Sequence, residues 1–251
     1  MKPVASQRTS DAAFPRGIAR SAAHHALARP SRTAGSRGIR LILASTSPQR
    51  RRLLKTLGMP FRIVPPKVSE NSSQRDIRRL VRELALKKAR WVARSIGRRA
   101  GGPSAGCRSA RHAAPAALDR IWVLGADTLV ACLGKILAKP RNRRDSLRML
   151  SILNGRWHRV YTGVALVHAA SRRALRDVTL SRVKARRLSA AALESLAGKH
   201  LDNSGSYALQ DRRDPFIEKV VGPVDNVIGL PMGCVRRLIR RAGELRIRDR
   251  K

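Results

Sequence analysis

Short apolar segments alternate with helical patterns along this chain, and that alternation restricts its fold more than any other feature. Residues 41–44 read Leu-Ile-Leu-Ala and residues 121–124 read Ile-Trp-Val-Leu, as is typical of strands buried on both faces of a sheet. Between them, residues 76–95 carry apolar side chains at a spacing of about 3.6, as an amphipathic helix does. The alternation predicts an α/β fold with a mixed, largely central β-sheet flanked by helices.

The same patterns predict the other elements of what we expect to be one main domain at this length. Strands are expected at residues 41–44, 61–64, 121–124, 160–168, 175–187 and 216–221. Helices are expected from Pro48, closed by Gly58, and at residues 76–95, 142–153, 189–197 (capped by Ser189) and 230–241. The domain should span 41–243, with a disordered or targeting-like basic extension at 1–40, a surface insertion at 98–120 and a basic tail at 244–251.

The net charge of the chain is unusually high. Lys and Arg number 54 against 16 Asp and Glu, which gives +38. Such a field attracts polyanions in general, including nucleic acid, nucleotide phosphates and anionic membrane surfaces, and does not select among them. Because no arginine cluster is interleaved with aromatic residues along the chain, we expect nonspecific polyanion binding and not a dedicated platform for stacked bases.

The cysteines and the hydropathy of the chain indicate the cellular compartment in which the protein is expected. The three cysteines, Cys107, Cys132 and Cys234, have no paired spacing, which favours a reducing compartment over a disulfide framework or a zinc site. No apolar run approaches the roughly 18 to 20 residues that span a bilayer, so no membrane partner is expected. We expect a cytoplasmic protein, with an organelle as the alternative if residues 1–40 are a transit peptide.

The turn after the first predicted strand is a candidate anion site. Ser45, Thr46 and Ser47 lead into the helix that begins at Pro48, and Arg50 follows in its first turn. Free N–H groups at a helix N-terminus converge there with a guanidinium group, as they do around bound phosphates. The alternative is an ordinary serine-rich cap beside arginines that face solvent.

Asp127 is the leading candidate for a chemically active carboxylate. Within Gly-Ala-Asp-Thr at 125–128 it should lie just past the carboxyl end of a buried strand, where α/β sheets place ligand chemistry. There it can bind a divalent cation or orient an attacking water, and the alternative is a turn aspartate that caps the next segment. Glu70 is a second candidate carboxylate, with a surface loop residue as its alternative.

Two lysines are candidate phosphate ligands. Pro140 fixes the chain just after Lys139, so that the ammonium group can be held toward a phosphate. Lys88 lies on the apolar stripe of the helix at 76–95, where a charged side chain is unusual and indicates a specific role. In a chain this basic, a lysine that faces solvent is the alternative for both.

Together and in this order, these segments resemble the Maf family of nucleotide pyrophosphatases. The resemblance runs from about Ile42 to Gly243 and is interrupted at 98–120. The matching segments are 43–48 with Arg50, Glu70, 84–85 with 88–89, 125–128, 139–140, 153–155 with His158 and 162–163, 205–210, and 227–231.

This resemblance implies a Maf/ITPase-like fold with a substrate cleft and a specific reaction. Family members hydrolyse nucleoside triphosphates such as dTTP, UTP or modified nucleotides to the monophosphate and pyrophosphate, with Mg²⁺ or Mn²⁺ as cofactor. Asp127 matches the general base, and Glu70 together with Asp127 matches the acids that serve the metal. The positions that match the substrate-binding residues are Ser45, Ser47, Arg50, Lys88 and Lys139.

Substrate choice in the family follows three positions, which Gln49, Thr128 and Gln210 match here. Thr128 and residues 207–210 look like the branch that prefers dTTP and UTP. Gln49 departs from that branch, in which an arginine is usual at this position.

Three further departures concern activity. Ser69 replaces an acid that is common before the family's glutamate, Arg52 stands where a glutamate is usual, and Asn203 replaces a frequent lysine. Losing an acid beside the metal should weaken cation affinity, because carboxylate charge holds a hard divalent ion. The alternative function is therefore a catalytically impaired member that binds nucleotide or nucleic acid and regulates cell division. Family analogy favours a homodimer.

Overall fold

A computed structural model describes residues 38–100, 118–211 and 214–248, and within these ranges a seven-stranded sheet carries helices on both faces. The strands are β1 (Arg40–Ala44), β2 (Phe61–Ile63), β3 (Ile121–Cys132), β4 (Lys135–Leu137), β5 (Trp157–His168), β6 (Ala174–Ala185) and β7 (Ile217–Val221). The helices are α1 (Pro48–Lys55), α2 (Ile77–Ala100), α3 (Arg143–Leu153), α4 (Ala190–Leu196), α5 (Val224–Ile228) and α6 (Met232–Arg248). The predicted α/β class, with a mixed central sheet flanked by helices, is confirmed.

The pairing of β3 leaves a gap in one edge of the sheet. The strand order is β2-β1-β3-β5-β6-β7, with β1 parallel to both of its neighbours and the later pairs antiparallel. On the edge of β3 opposite β5, β1 ends with Ala44 paired to Gly125, and β4 begins to pair only at Val130. Among the described strands, residues 126–129 therefore have no partner on that edge.

Two glycines set the distance between α2 and the sheet. A Cβ added to Gly125 would lie 2.2 Å from the carbonyl oxygen of Ala85, and one added to Gly163 would lie 2.2 Å from that of Val81. Any side chain at either position would push the helix outward, because packed interiors leave no room for such contacts. The glycine at 125, which we expected at a strand end, thus lies inside β3 and lets α2 approach it.

The apolar core occupies both faces of the sheet. On one face α2 packs against β1, β3 and β5 through residues that include Ala85, Ala89, Val92, Val123 and Ala165. On the other face α1 and α6 cover the sheet through residues that include Leu54, Leu124, Leu166, Val235 and Leu238. Each aliphatic side chain buried in this way contributes roughly 1.5–3 kcal/mol, and together they hold the sheet and helices in register around the gap.

The local helix signals of the sequence are confirmed. Ser47 caps α1, with its Oγ accepting a hydrogen bond from Arg50 N at 3.3 Å, and Pro48 is the first helical residue. Gly58 follows the helix in the left-handed region, at a φ of 66°. Ser189 caps α4 by accepting a hydrogen bond from Ala192 N.

The expected position of Asp127 beyond the end of its strand is wrong. Strand β3 continues to Cys132, so Asp127 lies inside it, and residues 122–131 pair with β5 without a break. The strand then turns back into β4 through Leu133 and Gly134, whose φ angles are 50° and 71°. Since β1 stops at Ala44, Asp127 still lies just past the end of the parallel pairing, which is the feature that brings ligand chemistry to such sheets.

Some boundaries also differ from those predicted. Helix α2 runs through 98–100, the first residues of the expected insertion, and α6 runs through 244–248, the first residues of the expected tail. The expected extension lies outside the described residues up to position 37, as does the rest of the insertion at 101–117. No helix in the described part of the chain is long and apolar enough to cross a membrane.

Candidate active site

A cleft opens at the gap in the edge of β3. The empty space in and in front of it, open solvent included, is about 770 Å³. The predicted site residues that line it are Ser47, Arg50, Glu70, Lys88, Asp127, Thr128, Lys139 and Gln210. One cavity thus brings together side chains from α1, α2, β3 and four loops.

Lys88 links the two predicted carboxylates. Its Nζ lies 2.5 Å from Asp127 Oδ1 and 2.7 Å from Glu70 Oε1. Lys88 and Asp127 are buried, while the side chain of Glu70 is 53% exposed. The charge on the apolar stripe of α2 is explained, because a buried ammonium group needs a carboxylate partner and here has two.

The surroundings move the pKa values of the two carboxyl groups in opposite directions. Burial raises the pKa of Asp127, and the nearby charges of Lys88 and Arg50 offset this only in part. Burial also raises the pKa of Glu70, but its hydrogen bond and charge interaction with Lys88, together with the more distant cations, lower it more, so the net shift is downward. Asp127 is consequently the better proton acceptor of the pair, and Glu70 is the more persistent anion.

Arg50 is held in a fixed orientation on the other side of β3. Its Nε donates to the carbonyl oxygen of Gly229 at 2.9 Å, and its Nη2 donates to Thr128 Oγ1 at 3.2 Å. Burial lowers the pKa of Arg50, although Asp127 and Glu70 raise it in part. Two of the five guanidinium N–H groups are used in these contacts, which leaves three for a ligand.

The serines and glutamine of the first turn mainly shape the chain. Ser45 is buried outside the cleft lining and accepts a hydrogen bond from Ser47 N at 3.1 Å. Ser47 Oγ donates to Gln49 Oε1 at 2.8 Å, and Gln49 also lies outside the lining. The substrate-binding role of Ser45 and the specificity role of Gln49 stay predictions.

Lys139 stands at the mouth of the cleft. The residue is exposed, and Pro140 directly after it is buried, so the phosphate-binding role of Lys139 stays a prediction. Gln210 lines the cleft from the loop after α4 and is exposed as well.

Part of the cleft wall was not foreseen from the sequence. Ser204 Oγ donates to the Thr128 carbonyl oxygen at 2.6 Å and ties the 202–210 loop to β3. Tyr207 is buried in the wall, and its hydroxyl lies 2.9 Å from His158 Nε2. Helix α5 and Gly229 form another part of the wall. These contacts join residues far apart in the chain, so no local sequence pattern predicts them.

The three departures from the family have different surroundings in the structure. Ser69 is exposed next to Glu70, and its Oγ accepts a hydrogen bond from Asn71 N at 3.2 Å. Asn203 lines the cleft and donates to the Tyr207 carbonyl oxygen at 3.1 Å, whereas Arg52 is exposed on α1.

The carboxylates suit a hard divalent cation that arrives with its substrate. In the described ranges, no group of three or more His, Cys, Asp and Glu residues gathers as a metal cage. Asp127 and Glu70 nevertheless converge on one cationic atom, Lys88 Nζ. Mg²⁺ is commonly bound by one or two carboxylates plus substrate phosphates, so this donor set fits it.

The fold and cleft define an α/β protein with a cavity in which basic side chains lie beside a pair of carboxylates. Residues 40–242 match the sequence model of the family described as Maf-like protein, and the chain belongs to that family. The resemblance read from the motifs is confirmed.

Several curated relatives align with this chain over nearly their whole length. The dTTP/UTP pyrophosphatase of Elusimicrobium minutum (strain Pei191) is 38% identical over 205 residues, which cover 82% of this chain and 100% of the relative. The dTTP/UTP pyrophosphatase of Moorella thermoacetica is 39% identical over 206 residues, covering 80% and 93%. That of Acetivibrio thermocellus is 33% identical over 208 residues, covering 82% and 96%.

Proposed function

We propose that this chain is a nucleoside triphosphate pyrophosphatase, a nucleotide diphosphatase that hydrolyses dTTP, UTP or modified nucleotides to the monophosphate and pyrophosphate. The observation that carries the proposal is the meeting of three cations and two carboxylates in one cleft. The cations are Arg50, Lys88 and Lys139, and the carboxylates are Asp127 and Glu70. The names of the related proteins support the same reaction.

The cations match the charge of the substrate and of its leaving group. Arg50 and Lys139 are positioned to neutralise phosphate oxygens, and the charge that builds on departing pyrophosphate is stabilised by the same groups. Lys88 pairs with both carboxylates and favours their charged forms, and its remaining N–H group is available to a phosphate oxygen.

Asp127 is proposed as the general base. A water molecule gives a proton to the Asp127 carboxylate while its oxygen forms a bond to the α-phosphorus. The bond from the α-phosphorus to the bridging oxygen breaks, and its electron pair leaves with pyrophosphate. The upward shift of the Asp127 pKa favours this role, because a base works best when its pKa approaches the working pH.

Asp127 and Glu70 are the residues that would hold the proposed Mg²⁺ or Mn²⁺. When bound, such an ion neutralises phosphate charge and favours loss of a proton from water.

Product analysis tests this proposal directly. The full chain is incubated with dTTP, UTP, CTP and modified nucleotides in Mg²⁺ or Mn²⁺, and monophosphate and pyrophosphate are quantified. Asp127→Asn should abolish turnover, whereas the control Asp119→Asn, outside the cleft lining, should retain it. Absence of turnover with every nucleotide, or equal turnover in Asp127→Asn and the unchanged chain, would contradict the proposal. Salt-sensitive nucleic-acid binding without hydrolysis would instead support the regulatory alternative.

We also propose a homodimer in the cytoplasm, with residues 41–243 as the working domain and with nonspecific polyanion binding as a consequence of the +38 charge. Cys132 and Cys234 are free and buried, in keeping with a reducing compartment. Light scattering after size-exclusion chromatography measures the assembly, and a monomeric mass at micromolar concentration would contradict the dimer.

A further inference from the structure

A chain of hydrogen bonds runs from the cleft into the protein behind it. Arg50 Nη2 donates to Thr128 Oγ1, which lies 3.0 Å from Thr162 Oγ1. Thr162 Oγ1 donates in turn to the carbonyl oxygen of Asn226 in α5 at 3.0 Å. Thr162 and Asn226 are both fully buried, and Thr162 does not line the cleft.

The far end of this chain is anchored. Asn226 Nδ2 donates to the Val160 carbonyl oxygen at 3.1 Å and to Ser181 Oγ at 3.0 Å. Ser181 Oγ donates to the Pro223 carbonyl oxygen at 2.8 Å, just before α5 begins. The acceptor that Thr162 uses is therefore fixed by two strands and cannot move without breaking buried hydrogen bonds, which are costly to leave unmade.

The two ends of the chain determine the direction of every proton within it. A guanidinium group only donates and a carbonyl oxygen only accepts, whereas a hydroxyl has one proton and two lone pairs. Thr162 donates its hydroxyl proton to the carbonyl oxygen of Asn226. The hydrogen bond between the two threonines must therefore be donated by Thr128. Thr128 also accepts from Arg50, and its hydroxyl has a single lone pair left for the cleft.

A pyrimidine whose N3 edge meets that remaining lone pair would be selected by its own hydrogen-bonding pattern. Uracil and thymine carry a proton on N3 and can donate to it, whereas N3 of cytosine is itself an acceptor and would face it lone pair to lone pair. We propose that Thr162 is a specificity-determining positioning residue, which takes the Thr128 proton so that Thr128 can only accept on its cleft side, and thereby favours uracil and thymine nucleotides over cytosine nucleotides. This inference rests on the proposed function, since it concerns the substrate of the same cleft.

Substitutions at position 162 test the role of the buried hydroxyl. Thr162→Val keeps the shape but removes the acceptor, so Thr128 becomes free to turn its proton toward the ligand. The ratio of kcat/KM for UTP to that for CTP should then fall about tenfold, the order expected when one hydrogen bond no longer discriminates. Thr162→Ser, which restores the hydroxyl, should retain the original ratio.

A matched control separates this effect from simple damage to the fold. Thr179→Val makes the same chemical change on β6, directly opposite Thr162 and away from the cleft lining. A structural effect lowers both activities in proportion and leaves their ratio unchanged. If Thr162→Val does not fold, Thr162→Ala lacks the same acceptor and carries the same expectation.

Binding measurements keep this inference distinct from the proposed function. Calorimetric titration of UTP and CTP into each variant in EDTA measures selectivity without hydrolysis. A chain that binds UTP selectively but never hydrolyses it contradicts the proposed function alone. An unchanged UTP-to-CTP ratio in folded Thr162→Val, or no preference in the unchanged chain, overturns the inference.

Discussion

Asp127 and Thr128 are neighbours in β3 and point to opposite faces of the sheet. Asp127 faces α2 and pairs with Lys88, whereas Thr128 faces α1 and accepts a hydrogen bond from Arg50. Side chains alternate in this way along any strand, but here no strand in the described part of the chain pairs with residues 126–129 on one edge. Both side chains therefore reach the same cleft, one from each face, and a single step along the strand separates the proposed base from the proposed recognition group.

Lys88→Met should leave Asp127 and Glu70 without their shared cation. We expect a loss of roughly 1–3 kcal/mol in the free energy of unfolding, because a buried charged group loses its partner. Turnover should fall on the order of a hundredfold, as on removal of one positioned donor. Urea denaturation and nucleotide hydrolysis measure the two effects. Lys87→Met, one residue away and outside the cleft lining, should change both by much less.

His158 should make the protein lose stability in mild acid. Burial lowers the pKa of His158 to about 4 from 6.5, so the unfolded chain binds the proton more readily than the folded one. The contribution of neutral His158 to the free energy of unfolding is complete above about pH 6.5. It is lost as the pH falls toward 4, by up to about 3 kcal/mol.

Urea denaturation at a series of pH values measures this loss. His158→Gln should flatten the dependence between pH 6.5 and 4, since glutamine can still bond to Tyr207 without titrating there. His168→Gln leaves His158 intact and should retain the dependence. An identical acid loss in both variants would assign it to other groups.

Gly125→Ala should disturb both the fold and the site. The new methyl group would lie 2.2 Å from the Ala85 carbonyl oxygen, so α2 must move away from β3 and carry Lys88 away from Asp127. We expect a loss of about 1–3 kcal/mol, the usual cost of overpacking, together with reduced turnover. Gly233→Ala in α6 is the control, because the new methyl group would lie 4.0 Å from Arg237 Nη1, its nearest neighbour beyond the adjoining residues. The stability of this variant should be unchanged or slightly higher. Equal thermal midpoints in the two variants would contradict the packing argument.

What the sequence predicted well was local. Pro48 and Ser189 mark helix starts by their own chemistry, and each was placed correctly. Lys88 was noticed because a charge interrupts an apolar stripe, and such an interruption is visible within one helix. Its partners were not assigned from spacing, since Asp127 lies 39 residues away and only the packing of α2 brings them together.

What the sequence did not predict depends on distant or short elements. Gly125, Asp127 and Thr128 interrupt the apolar pattern, and this hid the second half of β3, which is stabilised by pairing with β5. Helix α5 has five residues, too few for a periodic pattern. The Thr128–Thr162–Asn226 chain joins positions 34 and 64 residues apart and is defined only by the folded sheet.

Ser69→Asp tests whether the missing acid limits the metal. Ser69 is exposed beside Glu70 and accepts a hydrogen bond from Asn71 N, a turn contact that an aspartate can also make. A second carboxylate at this point should attract a divalent cation more strongly, and because exposed charges interact by up to roughly 1 kcal/mol, the gain should be at most about fivefold. The concentration of Mn²⁺ that gives half-maximal hydrolysis measures it. Ser69→Asn keeps the turn without adding charge, so an equal gain in that variant would show that the carboxylate is not responsible.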